Sequence, residues 1–350
     1  MTDPSTDPAA PAEAGALHGA LLTLDSHIDI PWPDGEDPFE ETARRLVDLP
    51  KMRRGGVSAG CFAAYIPQGR LDAAGHAAAL ERALAMLDRI GAIAGRRNGI
   101  EARICDTADA VEAAHRDGAL AVMPAVENGY AVGSDLANIA LLRRRGARYL
   151  TMTHNGHNLL ADSAIPRRDL GDGQAPNNGL STLGREAVAE LNRQGMLVDV
   201  SHLSRQAMLD AAGCSAVPVV ATHSCVAALC PHPRNLDDVQ LDALRETGGL
   251  IQITAMPGFL RPRGADPAGA DVASFVDHLD YVVRRIGVAH VGISSDFDGG
   301  GAIVGWRDAS ESGAVTAELL RRGYREAEIA AFWGGNFLRL LRRAEQVAAA

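Results

Sequence analysis

Residues 196–224 read MLVDVSHLSRQAMLDAAGCSAVPVVATHS. The run Met196–Val200 is short, apolar and rich in β-branched residues, and it stops at Ser201-His202. Val217–Thr222 repeats the pattern and stops at His223. Between them the stretch 204–212 has helical period, with Ser204 where an N-cap belongs. A strand, a crossover helix and a second strand make two parallel strands, and both end in an imidazole.

The same alternation extends in both directions. Candidate strands fall at Leu21–Asp25, Val57–Ile66, Ala119–Val126, Tyr149–Thr153, Met196–Val200, Val217–Thr222, Gly249–Thr254 and His290–Ser295. Helical stretches lie near 72–96, 107–116, 135–145, 183–194, 204–212, 238–247, 271–286 and 313–345. Thr182 is a second expected N-cap, and Gly195 and Gly248 stand where helices should stop. Eight such units predict an α/β fold of the (β/α)8 TIM-barrel type, although a doubly wound sheet gives a similar string. The position of the polar residues decides, because barrel enzymes collect their chemistry at the C-terminal ends of the strands. No long linker, composition break or internal repeat interrupts the pattern. One catalytic domain over 19–350 is expected, with C-terminal helices, preceded by a loose tail at 1–18 rich in Pro, Ala and acid.

Composition narrows the function. The 350 residues carry 34 Lys and Arg against 44 Asp and Glu, a net charge of -10, which argues against nucleic acid as a partner. The run Arg143-Arg144-Arg145 before Gly146 reads as a solvated helix terminus. No cation precedes Arg44 and no run of about 18 apolar residues occurs, so a cytoplasmic protein without a membrane partner is expected. The 5 cysteines, Cys61, Cys105, Cys214, Cys225 and Cys230, lack a zinc-ribbon spacing and read as free thiols, with Cys225 and Cys230 as packing residues.

Six of the predicted strands end in His, Asp or Glu. The first ends in Asp25-Ser26-His27-Ile28-Asp29, where residues two apart in extended chain present an imidazole and a carboxylate the same way. The third delivers Glu127 directly after an apolar run, where a carboxylate must be paired or a ligand. The fourth delivers His154, with His157 further into the loop, and the last ends in Asp296-Phe297-Asp298 before Gly299-Gly300-Gly301. That glycine turn lacks the Lys-Ser/Thr of a phosphate loop. Taken singly, each histidine reads as a strand-ending turn or a satisfied structural group. Jointly, His27, Asp29, Glu127, His202 and His223 have the nitrogen and oxygen chemistry of two zinc or similar divalent ions. A two-metal hydrolase follows, and two adjacent metals need a bridging anion. Lys51, the only lysine, lies in a loop rather than at a strand end, so a carboxylated-lysine bridge is excluded and Glu127 is left in that role.

With these motifs, and with Asp199-Val200-Ser201-His202, Arg234-Asn235-Leu236-Asp237-Asp238 and Gly335-Asn336-Phe337-Leu338-Arg339, the chain resembles the membrane (renal) dipeptidase family of zinc metallopeptidases in the amidohydrolase superfamily, from about Leu22 to Ala344. The resemblance implies that His27 and Asp29 hold one zinc, that His202 and His223 hold the other, and that Glu127 and a hydroxide bridge the two. It further implies that His154 contacts the substrate and stabilises the tetrahedral oxygen, and that Arg234 binds the C-terminal carboxylate of a dipeptide. Asp296 would orient the bridging hydroxide and carry its proton to the leaving amine, and a D-residue at the C-terminal position would be tolerated. The sequence departs from mammalian members in lacking a signal peptide and lipid anchor signal, and in reading Glu127-Asn128-Gly129-Tyr130 where those have two glycines and a histidine after the glutamate. Its cysteines do not support their disulfide-linked dimer, so any homodimer is expected to be noncovalent. The polar segment Ala161–Gly179 reads either as a lid over the site or as a passive surface loop. The rival functions are another metal-dependent amidohydrolase, acting on a lactone, cyclic imide or N-acyl amino acid, and a catalytically silent protein stabilised by its metal.

Overall fold

The computed structural model describes residues 10–349 apart from 262–265, 267 and 268. Half of the expected tail, residues 1–9, lies outside the described residues. The rest of it is helical: α1 covers Ala10–Ala20, and near its end the buried His18 ring bonds Thr316 Oγ1 at 2.7 Å and the Gly55 carbonyl at 2.8 Å. Those two contacts tie this helix to distant parts of the chain, which the Pro- and Ala-rich composition alone does not reveal.

The elements then run β1 (Leu24–Asp29), α2 (Leu49–Arg54), β2 (Ala59–Tyr65), α3 (Ala73–Gly91), β3 (Gly95–Arg97), β4 (Ile100–Ile104), α4 (Ala108–Arg116) and β5 (Leu120–Glu127). The middle of the chain contributes α5 (Ala137–Arg144), β6 (Tyr149–Thr151), α6 (Thr182–Arg193), β7 (Leu197–Asp199), α7 (Arg205–Cys214) and β8 (Val220–Ser224). The remainder is α8 (Asp238–Thr247), β9 (Leu250–Thr254), α9 (Pro257–Leu260), α10 (Val272–Ile286), β10 (Val291–Ser294), α11 (Gly313–Arg321), α12 (Glu326–Ala330) and α13 (Asn336–Ala348).

Eight strands follow one another in the parallel order β1-β2-β5-β6-β7-β8-β9-β10. The ends of this path meet: Ile28 bridges Phe297 in parallel, Asp29 N donates to Phe297 O and Asp296 N donates to His27 O, both at 3.1 Å. This is the expected TIM-type barrel, and the meeting of first and last strands rules out the doubly wound alternative. Parallel strands buried on both faces read as continuous apolar runs, and β5 is buried at every residue. Amphipathic helices cover them; α10, for example, buries Phe275, Val276, Leu279, Val282 and Ile286 and starts on a capping box at Asp271.

Several boundaries differ from the sequence reading. The stretch 72–96 is not one helix: α3 stops at Gly91, and β3 and β4 form an antiparallel hairpin whose second strand joins β5 outside the barrel path. The stretch 313–345 is divided among α11, α12, a π-helical turn over Ala331–Gly335 and α13. At that turn a Cβ on Gly334 would stand 2.8 Å from Leu22 Cδ2 and 3.0 Å from the Leu22 carbonyl, so the turn packs tightly against the segment that leads into β1. The first strand runs later than expected, placing His27 and Asp29 inside it. The N-cap of α6 is Ser181, whose side chain accepts from Gly184 N, and Thr182 is the first helical residue. Ser204 caps α7 and Gly248 closes α8 in the left-handed conformation, both as expected, and Gly195 follows the α6 cap at φ 66°.

Lys51 does not lie in a loop. Asp48 caps α2 by accepting from Lys51 N, and Pro50 occupies its first turn, so the sequence that looks like a turn starts a helix. The buried Lys51 ammonium donates to the Thr42 carbonyl at 2.6 Å and to the Arg45 carbonyl, and sits 3.3 Å from Asp48. Lys51→Met removes one partner of a buried ion pair and should lower stability by about 3 kcal/mol in urea unfolding. Metal content, by elemental analysis, should be unchanged in that variant, and a loss would contradict the placement of Lys51 away from the strand ends.

Candidate metal and substrate site

The closed barrel turns every strand C-terminus to one rim, and the predicted residues meet there. Asp29, Glu127, His154, His202, His223, Arg234 and Asp296 line one cavity of about 320 Å³. His27, fully buried, lies against it, its ring 4.0 Å from that of His223. A larger groove of about 770 Å³ runs between the 69–72 and 169–173 segments, but it contains none of these residues.

Backbone irregularities aim the side chains. Between Asp25 and Ile28, β1 carries one more residue than its partner β2, and between Ala221 and Ser224 β8 carries one more than β9. His27 and His223 therefore sit on β-bulges, which re-aim side chains beside a site. His202 and Asp296 are left-handed, at φ 67° and 59°, a strained conformation for residues with a Cβ. Gly299 is required as glycine by packing: a Cβ there would meet Asp296 Oδ1 at 2.4 Å and Asp29 Oδ2 at 2.8 Å.

Hydrogen bonds set the tautomer of each candidate histidine ligand. The Tyr149 hydroxyl donates to Ser26 O at 3.0 Å, so it accepts from His27 Nδ1 at 2.8 Å. Thr222 Oγ1 donates to Asp199 Oδ2 at 2.7 Å, so it accepts from His223 Nδ1 at 2.9 Å. His202 Nδ1 donates to Asn155 Oδ1 at 3.3 Å. In all three rings the Nδ1 proton is held from behind, which leaves Nε2 facing the site, as metal ligation requires. Asp199 is the buried hub of this support, accepting also from Thr151 Oγ1 and from Thr222 N, and so fixing the ends of β6, β7 and β8 together.

Glu127 stands among the three Nε2 atoms. Its Oε2 is 3.6 Å from His27, and its Oε1 is 3.1 Å from His202 and 3.4 Å from His223. The two oxygens thus face different imidazoles, the geometry of a bridge. His27 Nε2 and Asp29 Oδ1 are buried without any hydrogen-bond partner, an expensive state for polar atoms that a cation would relieve. Ligand atoms of His27, Glu127 and His223 lie within 4.8 Å of one another, as do those of Glu127, His154 and His202 and those of His27, Asp29 and Asp296. These groupings differ from the expected split in three respects: His223 is grouped with His27, His154 comes within ligand reach of His202 and Glu127, and Asp296 joins His27 and Asp29.

Electrostatics fit the same reading. Burial lowers the His27 imidazole, but Glu127 and then Asp29 outweigh it and raise it to about 10; the carboxylates draw positive charge into their midst. Burial pushes Glu127 up, yet His27, with hydrogen bonds from His202 and His223, holds it well below the usual carboxylate range. Asp29 is raised well above that range by burial and by Glu127. Burial lowers His223 to about 3, and raises Asp296 to about 7 with Glu127 assisting. Buried carboxylates converging with imidazoles form an N/O donor set suited to divalent ions such as zinc.

The cavity wall also holds Arg234, 3% exposed, whose Nη2 donates to the His223 carbonyl at 3.1 Å while its Nε has no partner. Burial lowers its guanidinium to about 10. Sequence reasoning missed the walls: Asn155, Ile165, His232, Met256 and Phe259. It also missed Tyr65, which ends β2 in register with Glu127 and places its ring 4.7 Å from His154. A strand drawn to end at Tyr65 rather than Ile66 would have exposed that signal. Ile165 belongs to the polar segment Ala161–Gly179, whose base is fastened: Ala164 N donates to His202 O, and buried Asp162 accepts from Asn177 N and Gly179 N. His157 is structural, with Nδ1 accepting from Ser163 N.

Barrel and site together define a metal-dependent hydrolase. The sequence profile of the membrane dipeptidase family (peptidase family M19) matches residues 12–350, and the chain belongs to that family. The dipeptidase tcpJ of Claviceps purpurea is 35% identical over 332 residues, 93% of this chain and 75% of the relative. The dipeptidase aclJ of Aspergillus oryzae is 37% identical over 67% of this chain, which spans 54% of that relative. Among solved structures, the probable dipeptidase PvdM of Pseudomonas aeruginosa superposes with TM-score 0.91 at 29% identity, covering 98% of this chain and 100% of that one. A metallopeptidase of Rhodobacter sphaeroides, liganded with a phosphinate mimic of the dipeptide L-Ala-D-Ala, gives TM-score 0.78 at 28% identity over 93% of this chain and 99% of that one. The protein is accordingly a metal-dependent dipeptidase of the membrane dipeptidase type. Despite the family's name, no helix among the described residues is long and apolar enough to cross a membrane. All 5 cysteines are free, with Cys225 and Cys230 buried in packing.

Tyr149→Phe removes the acceptor that keeps the His27 proton on Nδ1. Chelator competition should show divalent metal held about tenfold more weakly in this variant. An unchanged affinity would mean that Tyr149 does not set the ligand tautomer.

Proposed function

We propose that this protein hydrolyses small dipeptides with a free C-terminal carboxylate, L-Xaa-D-Xaa dipeptides among them, with two zinc ions at the rim of the barrel. The observation that carries the reading is the convergence of three imidazole Nε2 atoms on Glu127, with a buried arginine across the same small cavity. His27 and Asp29 would hold one ion, His202 and His223 the other, and Glu127 would span both. When bound, the ions polarise the scissile carbonyl and lower the pKa of a water molecule.

The chain's own groups do the rest. Arg234 holds the substrate's terminal carboxylate, for which its planar fork is suited, and so sets the scissile bond at a fixed distance from the carboxylates. His154, whose burial lowers its pKa, sits beside the ligand set and donates to the carbonyl oxygen as charge develops there. Asp296, adjacent to Asp29 across Gly299, accepts the proton of the attacking water and returns it to the leaving amine nitrogen. The cavity of about 320 Å³ suits a dipeptide rather than a longer peptide. The phosphinate dipeptide mimic bound by the Rhodobacter sphaeroides relative supports the inclusion of a D-residue at the C-terminal position.

A screen of L-Xaa-L-Xaa and L-Xaa-D-Xaa dipeptides with added zinc tests the proposal, and hydrolysis of neither class would overturn it. Glu127→Gln should lower bound zinc by at least about one ion per chain and reduce kcat/KM by about a thousandfold, read by elemental analysis and steady-state kinetics. Arg234→Met should raise KM for L-Ala-L-Ala about a hundredfold while metal content stays unchanged. Unchanged dipeptide kinetics in that variant would exclude the carboxylate contact.

A further inference from the structure

Arg234 and the aromatic wall opposite it come from different loops. The segment between β8 and α8 closes on itself: Val226 bridges Leu236 in parallel, Ala227 N donates to Leu236 O and Leu236 N donates to Cys225 O, each at 2.9 Å. That loop carries His232 and Arg234. Phe259 belongs to α9, which follows β9. The Arg234 guanidinium carbon stands 5.4 Å from the centre of the Phe259 ring, and the His232 ring packs tilted by 35° against the same phenyl, the ring centres 4.5 Å apart. Arg234 otherwise has one good hydrogen bond, to the His223 carbonyl, so its placement depends on how the two loops sit against each other.

One buried imidazole joins them. His278 lies on α10, 1% exposed. Its Nε2 donates to the Leu260 carbonyl at 3.1 Å, since a carbonyl only accepts, and its Nδ1 then accepts from Val226 N at 3.0 Å. Val226 opens the Arg234 loop and Leu260 closes α9, so a single neutral tautomer pins both. Asn235 adds a second pin, its amide donating to Cys230 O in its own loop and to Phe259 O in the other, both at 2.8 Å.

We propose that His278 is a positioning residue that, with Asn235, latches the Arg234 loop to the Phe259 helix and so holds the guanidinium in register with the substrate's terminal carboxylate. The proposal rests on the reading of Arg234 as the carboxylate contact. His278 touches neither substrate nor metal ligands; it acts through the backbone of Val226 and Leu260. Removing it leaves a buried N–H and a buried carbonyl without partners and frees the loops to separate. The carboxylate is bound alike in ground and transition states, so the loss falls on KM rather than on kcat.

The test compares L-Ala-L-Ala with L-Ala-L-Ala amide, which lacks the charged terminus, across His278→Leu, His278→Gln, Asn235→Ala and Arg234→Met. His278→Leu should raise KM for the acid about tenfold with kcat within about twofold, and should lower the acid-over-amide preference by a similar factor. His278→Gln, which can still accept and donate, should recover part of that loss. Equal losses for acid and amide, or a fall in thermal stability with the preference intact, would overturn the proposal. If His278→Leu does not fold, Asn235→Ala decides: the same acid-specific rise in KM supports the latch and its absence refutes it. Should Arg234→Met itself leave the preference unchanged, the reading of Arg234 fails first. If Arg234→Met abolishes the preference and both latch variants keep it, the latch alone fails.

Discussion

The structure depends on keeping one carboxylate, Glu127, ionised and buried among three imidazoles. Such a group is tolerable only if the lone pairs and charges around it are compensated, and the protein meets this by fixing every ring from behind. Tyr149, Thr222 and Asn155 take the Nδ1 protons of His27, His223 and His202, which leaves each Nε2 free to face inward. Two of these three supports carry a further link, Tyr149 to the Ser26 carbonyl and Thr222 to Asp199, so the ligand set is held two bonds deep.

Aiming these rings requires departures from regular barrel geometry. Regular strands alternate their side chains between faces, and an extra residue in β1 and in β8 breaks that alternation where His27 and His223 stand. His202 and Asp296 adopt left-handed conformations at the ends of their strands, as do Asn128 and Asp298 nearby. Each costs about 1–3 kcal/mol and persists because the surrounding barrel over-determines it. Asp298 shows how: its carboxylate accepts from Leu46 N at 2.7 Å and from Val47 N at 3.2 Å, tying the turn after β10 to the long connection after β1.

The proposed substrate side follows a different logic. The residues proposed to face the metal sit at strand ends, where the sheet gives rigidity directly. Arg234, His232 and Phe259 sit in the loops and short helix beyond them, and they gain rigidity from cross-links to α10 rather than from the sheet. Binding residues carried on loops over a rigid scaffold allow one barrel chemistry to serve different substrates.

The sequence by itself determined the candidate donor set and its order along the chain. Apolar runs that end in His27 and Asp29, Glu127, His202 and His223 are local patterns, and parallel strands must turn such ends to one rim. The single lysine likewise excluded a lysine bridge, although its environment was misread: Asp48 and Pro50 look like a turn and instead start a helix. The β3–β4 hairpin and the division of the last helix were not legible, because strands of three and five residues and a π turn leave no periodic trace. What only the tertiary structure decided are the tautomers, the bulges and the latch. Tyr149 meets His27 across 122 residues of sequence, and His278 meets Val226 across 52. No local pattern encodes such pairs, since they exist only once the closing of the barrel and the packing of its outer helices have brought those residues within hydrogen-bonding distance.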